Sequence, residues 1–445
     1  MRKPSIISLL LFILMSTANV KAISDYDLAV ENTDGKTIYY NYTHEGEELE
    51  VTCLNDVAPF NEHAYEGNVV IPDEVKCNDK TLKVTSIGEF AFAGCSALSA
   101  VTIPNSVTEI GQMAFQSCKN LSSLNIPNRL ASIGMLAFWE CSSLTTVVIP
   151  GSVTTLGGGA FYDCSSLESV TIEYGVTCIE EDVFQGCKRL LSLTIPNSVT
   201  TIKQGAFCNC EALTSISISE SVTIIDNHVF QGCSSLKSLI IPNSVTKIEA
   251  YAFNGCESIT SITIPDKVTE ICGYAFLDCR NLKFVKIGSS VKDISVCAFD
   301  GCPNISTIVS LIENPCFITE SSSNNRTFDT NTFNNATLYV PVGSKDKYKS
   351  TIGWNDFVTI VEGDGSGSSG VEQEIEKPLQ MEFHGNVLTA KGINNSEQIF
   401  VYSTNGMLVG KSTSENGVAK VNTHLEHGAV AIVKIRDKIV KMVVK

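Results

Sequence analysis

The sequence predicts an elongated repeat solenoid, with a parallel β-sheet on one face and short helical or irregular return arms, followed by a small all-β sandwich. Three observations predict it. Phenylalanine recurs every 23 residues, at Phe92, Phe115, Phe138, Phe161, Phe184, Phe207, Phe230, Phe253, Phe276 and Phe299. Cysteine keeps the same step through ten positions from Cys95 to Cys302, and leucine or isoleucine does so from Leu98 to Ile305. The period then stops before a Gly/Ser-rich stretch, beyond which hairpin signals take over. At 445 residues the chain is too long for one hydrophobic core, whereas stacked units bury one another's side chains.

The first residues read as an export signal. Arg2 and Lys3 precede an apolar run from Ile6 to Met15, broken only by Ser8. Val20-Lys21-Ala22 puts small residues where a signal peptidase reads, so residues 1–22 are expected to be removed. The run is too short to span a bilayer, and no cysteine follows the cleavage site to carry a lipid. The mature chain is therefore expected to be exported, with no membrane span. Formal net charge is −16, and it reaches −19 once Arg2, Lys3 and Lys21 are gone. Such acidity excludes nucleic acid and anionic lipid, which need basic patches. From Val371 to Lys445 nine Lys and Arg stand against eight Asp and Glu, so the acidity belongs to the earlier region.

Residues 23–80 are polar and irregular and are expected to cap the stack. Ten units follow over residues 81–310. In the unit Leu98–Asn120, Leu98, Val101 and Ile103 have the apolar-x-x-apolar-x-apolar spacing of a leucine-rich repeat. Val101 and Ile103 alternate with Thr102, which is strand periodicity. Pro104 ends the strand because it has no N–H for the ladder, and Asn105-Ser106 turns the chain. Val107 and Ile110 point inward, Gly111 allows a tight bend, and Ala114, Phe115 and Cys118 pack from the return arm, a short helical turn. The fold class is thus a leucine-rich-repeat solenoid. Residues 311–362 lose the phase and are expected to form the C-terminal cap, with Trp354 as its lid.

The strings Ile103-Pro104-Asn105-Ser106-Val107-Thr108 with Ile110, and Ala114-Phe115 with Cys118, closely resemble the BspA-like leucine-rich-repeat family of bacterial surface proteins. The resemblance covers roughly residues 26–362. It takes in Ile71-Pro72 with a nine-residue insertion before Val84, and the exit segment Ala336–Pro341 running through Trp354 to Val361. It implies adhesion to varied hosts, matrix proteins and other cells. Ile172-Glu173, Ile218-Ser219 and Ile287-Gly288 depart from it by lacking the proline and are expected to be tolerated strand ends.

Ten of the seventeen cysteines share one unit position. Side chains stacked at one position run parallel, which is poor geometry for bridging, so the ladder is expected to be buried thiols packed as small apolar groups. Among the off-phase Cys53, Cys77, Cys178, Cys208, Cys272, Cys297 and Cys316, the best-placed disulfide pair is Cys53 with Cys77, beside the N-terminal cap. No C-x-x-C occurs and no histidine lies at ligand spacing from the ladder, so neither metal nor cofactor is expected.

Catalysis is not indicated either. His44, His63, His228, His384, His424 and His427 do not assemble with a nucleophile, and G-x-S-x-G, P-loop and H-E-x-x-H strings are absent. Glu180, Glu181 and Asp182 read as a solvated acidic loop. Two surfaces are candidates for binding. The outward strand position carries Thr102, Asn125, Val148, Thr171, Thr194, Ser217, Ile240, Thr263 and Lys286. That row suits a protein or glycan partner, and equally suits a half-exposed strand with no ligand. The second candidate is aromatic. Trp139 and Tyr162 follow the phenylalanine in adjacent units, and Tyr251 and Tyr274 stand two before it in another adjacent pair, giving two small exposed patches.

Residues 363–378 are a flexible linker by composition, and residues 379–445 a β-sandwich. Ile399–Ser403, the turn Asn405-Gly406 and Met407–Gly410 form one hairpin; Ala429–Ile435, the turn Arg436-Asp437-Lys438 and Ile439–Val444 form another. The runs Phe400–Val409, Gly428–Ile435 and Lys441–Lys445 resemble the C-terminal sorting domain of the type IX secretion system, which implies passage through an outer membrane. Ala429-Val430-Ala431 departs from it where that family tends to place tyrosine after glycine. Together these features predict a monomeric, non-enzymatic adhesion or interaction scaffold at the cell surface or secreted. Its partners would be proteins or glycans of host or neighbouring cells. The alternative is a glycan-binding or glycan-active secreted protein.

Overall fold

Each unit makes one turn with three sides, and most turns are stitched to the next on each side by backbone hydrogen bonds, with breaks on the first side after Ser123–Leu124 and on the second after Thr155–Leu156 and Thr201–Ile202. The computed structural model describes residues 26–32, 34–53, 65–77, 79–320, 322–365, 380–393, 397–403, 407–415, 417–426, 428–435 and 438–444. The export signal, most of the linker, and the turns at Asn405-Gly406 and Arg436-Asp437 lie outside them. The chain divides into two compact units, residues 1–368 and 369–445.

The first side is the predicted strand. Leu98–Thr102 pairs in parallel with Gly67–Val70 before it and Ser123–Leu124 after it. The row resumes through Thr146–Ile149, Ser169–Ile172, Ser192–Thr194 and Ser215–Ser217. After a single bridge at Ser238 it continues through Ser261–Thr263, Phe284–Ile287 and Thr307–Ser310. Where proline is missing at Glu173, the free N–H extends the ladder and donates to the Ile149 carbonyl at 3.0 Å. The second side is a row of two-residue strands from Glu109–Ile110 to Asp293–Ile294, whose inward residues are the isoleucines and one leucine of the repeat.

The third side is not helical. Within the first unit the N–H groups of Ala91, Ala93 and Cys95 bond three residues back, while those of Phe90, Phe92 and Gly94 cross to the Gln112, Ala114 and Gln116 carbonyls at 3.1, 2.7 and 2.7 Å. Two residues before and two after each repeat phenylalanine the backbone has positive φ in all ten units, from Phe90 (56°) and Gly94 (74°) to Cys297 (55°) and Gly301 (69°). An α-helix would need every N–H for its own i−4 carbonyl. Here alternate N–H groups serve the neighbouring turn, so the arm is a run of β-turns and the short helical turn is excluded.

The core follows from the three ladders. The ten phenylalanine rings are fully buried. They stack at 4.8 to 5.7 Å with planes within 12° of one another. The stack runs past the repeat at both ends: Tyr65 lies 4.5 Å from Phe92 and Phe328 lies 5.1 Å from Phe299. Phe328 is twenty-nine residues beyond Phe299, so the phase is lost in sequence while the turn is kept in space. Thr337–Val340 and Thr359–Glu362 extend the first sheet by two strands. Trp354 is fully buried against Phe328 and Tyr348, and its Nε1 donates to the Cys316 carbonyl at 2.8 Å. It closes the C-terminal end of the core. At the other end Thr37–Thr43 and Glu48–Thr52 pair antiparallel, the latter lying parallel to Lys80–Ile87. The insertion before Val84 is a hairpin, Glu74–Cys77 against Lys80–Lys83.

The cysteine ladder is buried thiol throughout. From Cys118 to Cys302 each Sγ donates to the carbonyl of the phenylalanine in the preceding unit, at 3.0 to 3.3 Å. That carbonyl already accepts the N–H of its own unit's cysteine. A small apolar side chain with one weak donor meets both demands of the position. The expected bridge between Cys53 and Cys77 does not form. Cys53 is buried, whereas the Cys77 sulfur lies on the outside, 3.9 Å from the Tyr42 hydroxyl.

In the second unit Gln380–His384, Val387–Lys391 and Val418–Asn422 form one antiparallel sheet. Leu408–Thr413, Gln398–Ser403, Val430–Ile435 and Lys438–Val443 form another. Leu388, Ala390 and Val421 from the first and Ile399, Val401 and Val433 from the second meet in one core.

Candidate functional site

Along the outward strand row, Thr102, Asn125, Val148, Thr171 and Thr194 are exposed, and Ser217, Ile240, Thr263 and Lys286 are half-buried. One member has a structural task. The Asn125 side chain donates to the Ile103 carbonyl and accepts the Ile103 N–H, both at 2.9 Å. It completes the ladder where the short strand Ser123–Leu124 stops.

Trp139 and Tyr162 are brought together edge to face, with ring centroids 6.5 Å apart. They are half-buried around Met113 and Leu136, flanked by Phe90 and Met135, in a satellite apolar cluster on the return arms. The structure thus replaces the open patch with a packed one. The Trp139 Nε1 is buried there without a hydrogen-bond partner.

Tyr251 and Tyr274 are half-buried and stack face to face at 4.8 Å and 5°. His228 joins them one turn earlier at 4.9 Å and 8°, making a three-ring column. All three stand two before their phenylalanine with φ near 60°, a backbone that costs an ordinary residue roughly 1–2 kcal/mol. Bonds between turns hold that backbone: His228 N–H to Ala250, Tyr251 N–H to Gly273 and Tyr274 N–H to Val296, at 3.1 to 3.3 Å. His228 Nδ1 lies 2.6 Å from Gln231 Oε1, a hydrogen-bond contact that fixes the ring's orientation. Sequence reasoning did not join His228 to the tyrosines; its 23-residue step to Tyr251 was the signal. It also missed Tyr174, the most exposed aromatic of the repeats at 67%.

The acidic triplet is not a solvated loop. Glu180 pairs with the Lys203 ammonium, and Asp182 is buried. Asp182 Oδ1 occupies the space a side chain at position 205 would need, which is why Gly205 follows it one turn later. A cavity of about 630 Å³ lies where the N-terminal cap meets the first units, lined by Asn41, Glu50, Glu89, Phe90, Glu109 and Met135 among others. Burial raises the Glu50 carboxyl above its usual range, and Glu109 and Glu89 add to this, against the Ser86 hydrogen bond that lowers it. Among the described residues no cluster of three His, Cys, Asp or Glu could hold a metal, and no helix is long and apolar enough to cross a membrane.

The family described as BspA type leucine rich repeat region matches residues 75–191 and 177–306, in six copies. A leucine-rich repeat protein from Bacteroides ovatus, known from a crystal structure, is similar over 76% of this chain and 90% of that chain, with 26% identity and a TM-score of 0.52. A leucine rich cell surface protein from Faecalibacterium prausnitzii is 22% identical over 79% of this chain and 97% of its own, with a TM-score of 0.42. A T. pallidum leucine rich repeat protein is 28% identical over 50% and 87%, with a TM-score of 0.37. No curated protein matches the chain.

Proposed function

We propose, for a chain that belongs to the BspA-type leucine-rich-repeat family, a non-enzymatic adhesion scaffold, exported to the cell surface, that holds a protein or glycan partner on its return-arm side. The observation that carries this reading is the column His228–Tyr251–Tyr274. Three rings are fixed in register on consecutive turns by backbone bonds, so little side-chain entropy is lost when a partner settles on them. Trp139 and Tyr162 supply a second aromatic contact on the same side of the turn. The outward strand row, with Thr102, Thr171, Thr194, Thr263 and Lys286, lies on a different side of the turn and would be a separate, weaker contact area. In this reading residues 1–22 direct export, and residues 379–445 act as a sorting module.

The test is a pull-down with the full chain from host matrix, mucin and serum, run beside a glycan array. Tyr251→Ala/Tyr274→Ala is expected to lower retention at least tenfold with the unfolding temperature little changed. Equal retention by the variant would remove the column from the binding surface. Deleting residues 371–445 is expected to stop surface delivery, and unaltered delivery would refute the sorting role.

A further inference from the structure

We infer that the outward face of the four-stranded sheet in the C-terminal unit binds an anionic glycan, with Phe400 and Tyr402 against the sugar rings and Lys411 and Lys434 on the acidic substituents. Register makes the face. Phe400 stands directly opposite Lys411 on one neighbouring strand and opposite Lys434 on the other. Directly opposed residues share a side of the sheet. Ile399, Val401 and Val433 fill the core, so strand alternation sends Phe400, Tyr402 and Lys434 the other way. Both rings are half-buried, with centroids 6.4 Å apart and planes 28° from parallel, and both lysines are exposed. Among the described residues neither lysine is in an ion pair.

The lysines flank Phe400 one strand to each side, which separates them by roughly 9–10 Å across a flat surface. Two aromatic side chains offer apolar surface to the C–H faces of pyranose rings. Two ammonium groups, compact point charges, take carboxylate, sulfate or phosphate substituents on either side. From residue 379 onward eight Lys and Arg stand against five Asp and Glu, in a chain whose formal charge is −16. Acid elsewhere on the chain repels an anionic polymer, but at 0.15 M salt that repulsion fades beyond about 8 Å, so the local face decides. Two lysines are too few to neutralise the run of phosphates that drives nucleic-acid binding. An anionic sugar polymer fits both the ring pair and the sparse charge.

The experiment is affinity electrophoresis of the full-length chain through gels containing dextran sulfate, neutral dextran or polyglutamate. Retardation is expected with dextran sulfate and not with neutral dextran or polyglutamate. Lys411→Glu/Lys434→Glu should abolish it, and Phe400→Ser should weaken it several-fold, with thermal unfolding of the C-terminal unit checked for each. Tyr251→Ala/Tyr274→Ala should leave it unchanged, which separates this face from the solenoid surface. No retardation, equal retardation of the lysine variant, or equal retardation by polyglutamate would overturn the inference. Binding confined to phosphatidylglycerol vesicles or to an oligonucleotide would also overturn it.

Discussion

Ten stacked thiols make the solenoid sensitive to alkali in a calculable way. An unperturbed thiol ionises at 9.0. Burial raises all the ladder thiols from Cys95, pushed up to about 11, through Cys118, Cys141, Cys164, Cys187, Cys210, Cys233 and Cys256 to Cys302. At Cys279 the contact with Cys302 is the largest single influence and lowers the value, while burial and the neighbouring Cys256 together leave it raised. Below pH 9 the folded and unfolded chains both keep these protons, so stability is flat. Above pH 9 the unfolded chain releases them and the folded chain does not, so stability falls as pH rises until the folded values are reached. At pH 10 the loss is about 1.4 kcal/mol per thiol held above that pH, or about 13 kcal/mol for the nine other than Cys279. That equals the whole stability of a typical domain, so the stack should open before pH 10. The assay is guanidinium unfolding followed by far-UV circular dichroism from pH 7 to 10 under reductant. Cys187→Ala/Cys210→Ala/Cys233→Ala starts less stable at pH 7, but its loss between pH 7 and 10 should be smaller by about 4 kcal/mol. Stability unchanged to pH 10, or an identical loss in the variant, would refute the link between burial and alkaline unfolding.

Phe207→Ala empties the middle of a ring stack whose neighbours lie 5.6 and 5.7 Å away, and should cost about 3–5 kcal/mol. Because units contact only their neighbours, hydrogen exchange should accelerate around units five to seven and stay slow at the ends; uniform acceleration would contradict this. A Cβ at Gly134 would lie 2.5 Å from the Gln112 nitrogen of the previous turn, so Gly134→Ala should lower the unfolding temperature by several degrees more than Ala131→Gly on an exposed site. Mass mapping of native alkylation should label Cys77 ahead of Cys178 and Cys272, whose thiols burial and then Glu180 or Glu249 push up to about 11 and about 12, and should leave the ladder unlabelled.

Legibility in the sequence tracked how many neighbours a residue answers to. Phe115 and Cys118 are enclosed by the same residue types above and below, so a single chemistry satisfies each position and the 23-residue step exposes it. Phe328 answers to the same stack but hangs on a longer loop, so its place could not be counted out. The return arm was misjudged because Ala114-Phe115 with Cys118 has the apolar spacing of a helical turn, while the left-handed backbone at Met113 and Ser117 carries no side-chain signature. Trp139 and Tyr162 were legible as neighbours but not as half-buried, since Met113 and Leu136 reach them across turns.

The same backbone explains where a binding surface can arise. The bonds joining return arms come from N–H groups two before and at each phenylalanine, and in the first nine units also two after it, and none depends on the side chain two before it. That position accordingly runs Phe90, Met113, Leu136, Gly159, Asp182, Gly205, His228, Tyr251, Tyr274, Cys297, while the phenylalanine two residues on never changes. Its φ is fixed near 60° whatever stands there. A new side chain is therefore presented at a set height and angle, one repeat spacing from the next, except where, as at Gly205, the side chain of the neighbouring turn already fills its place. Stacked rings such as Tyr251 and Tyr274 arise wherever two adjacent units choose the same residue type. The cost of that freedom is the strained backbone itself, and the inter-turn hydrogen bonds offset it unit by unit.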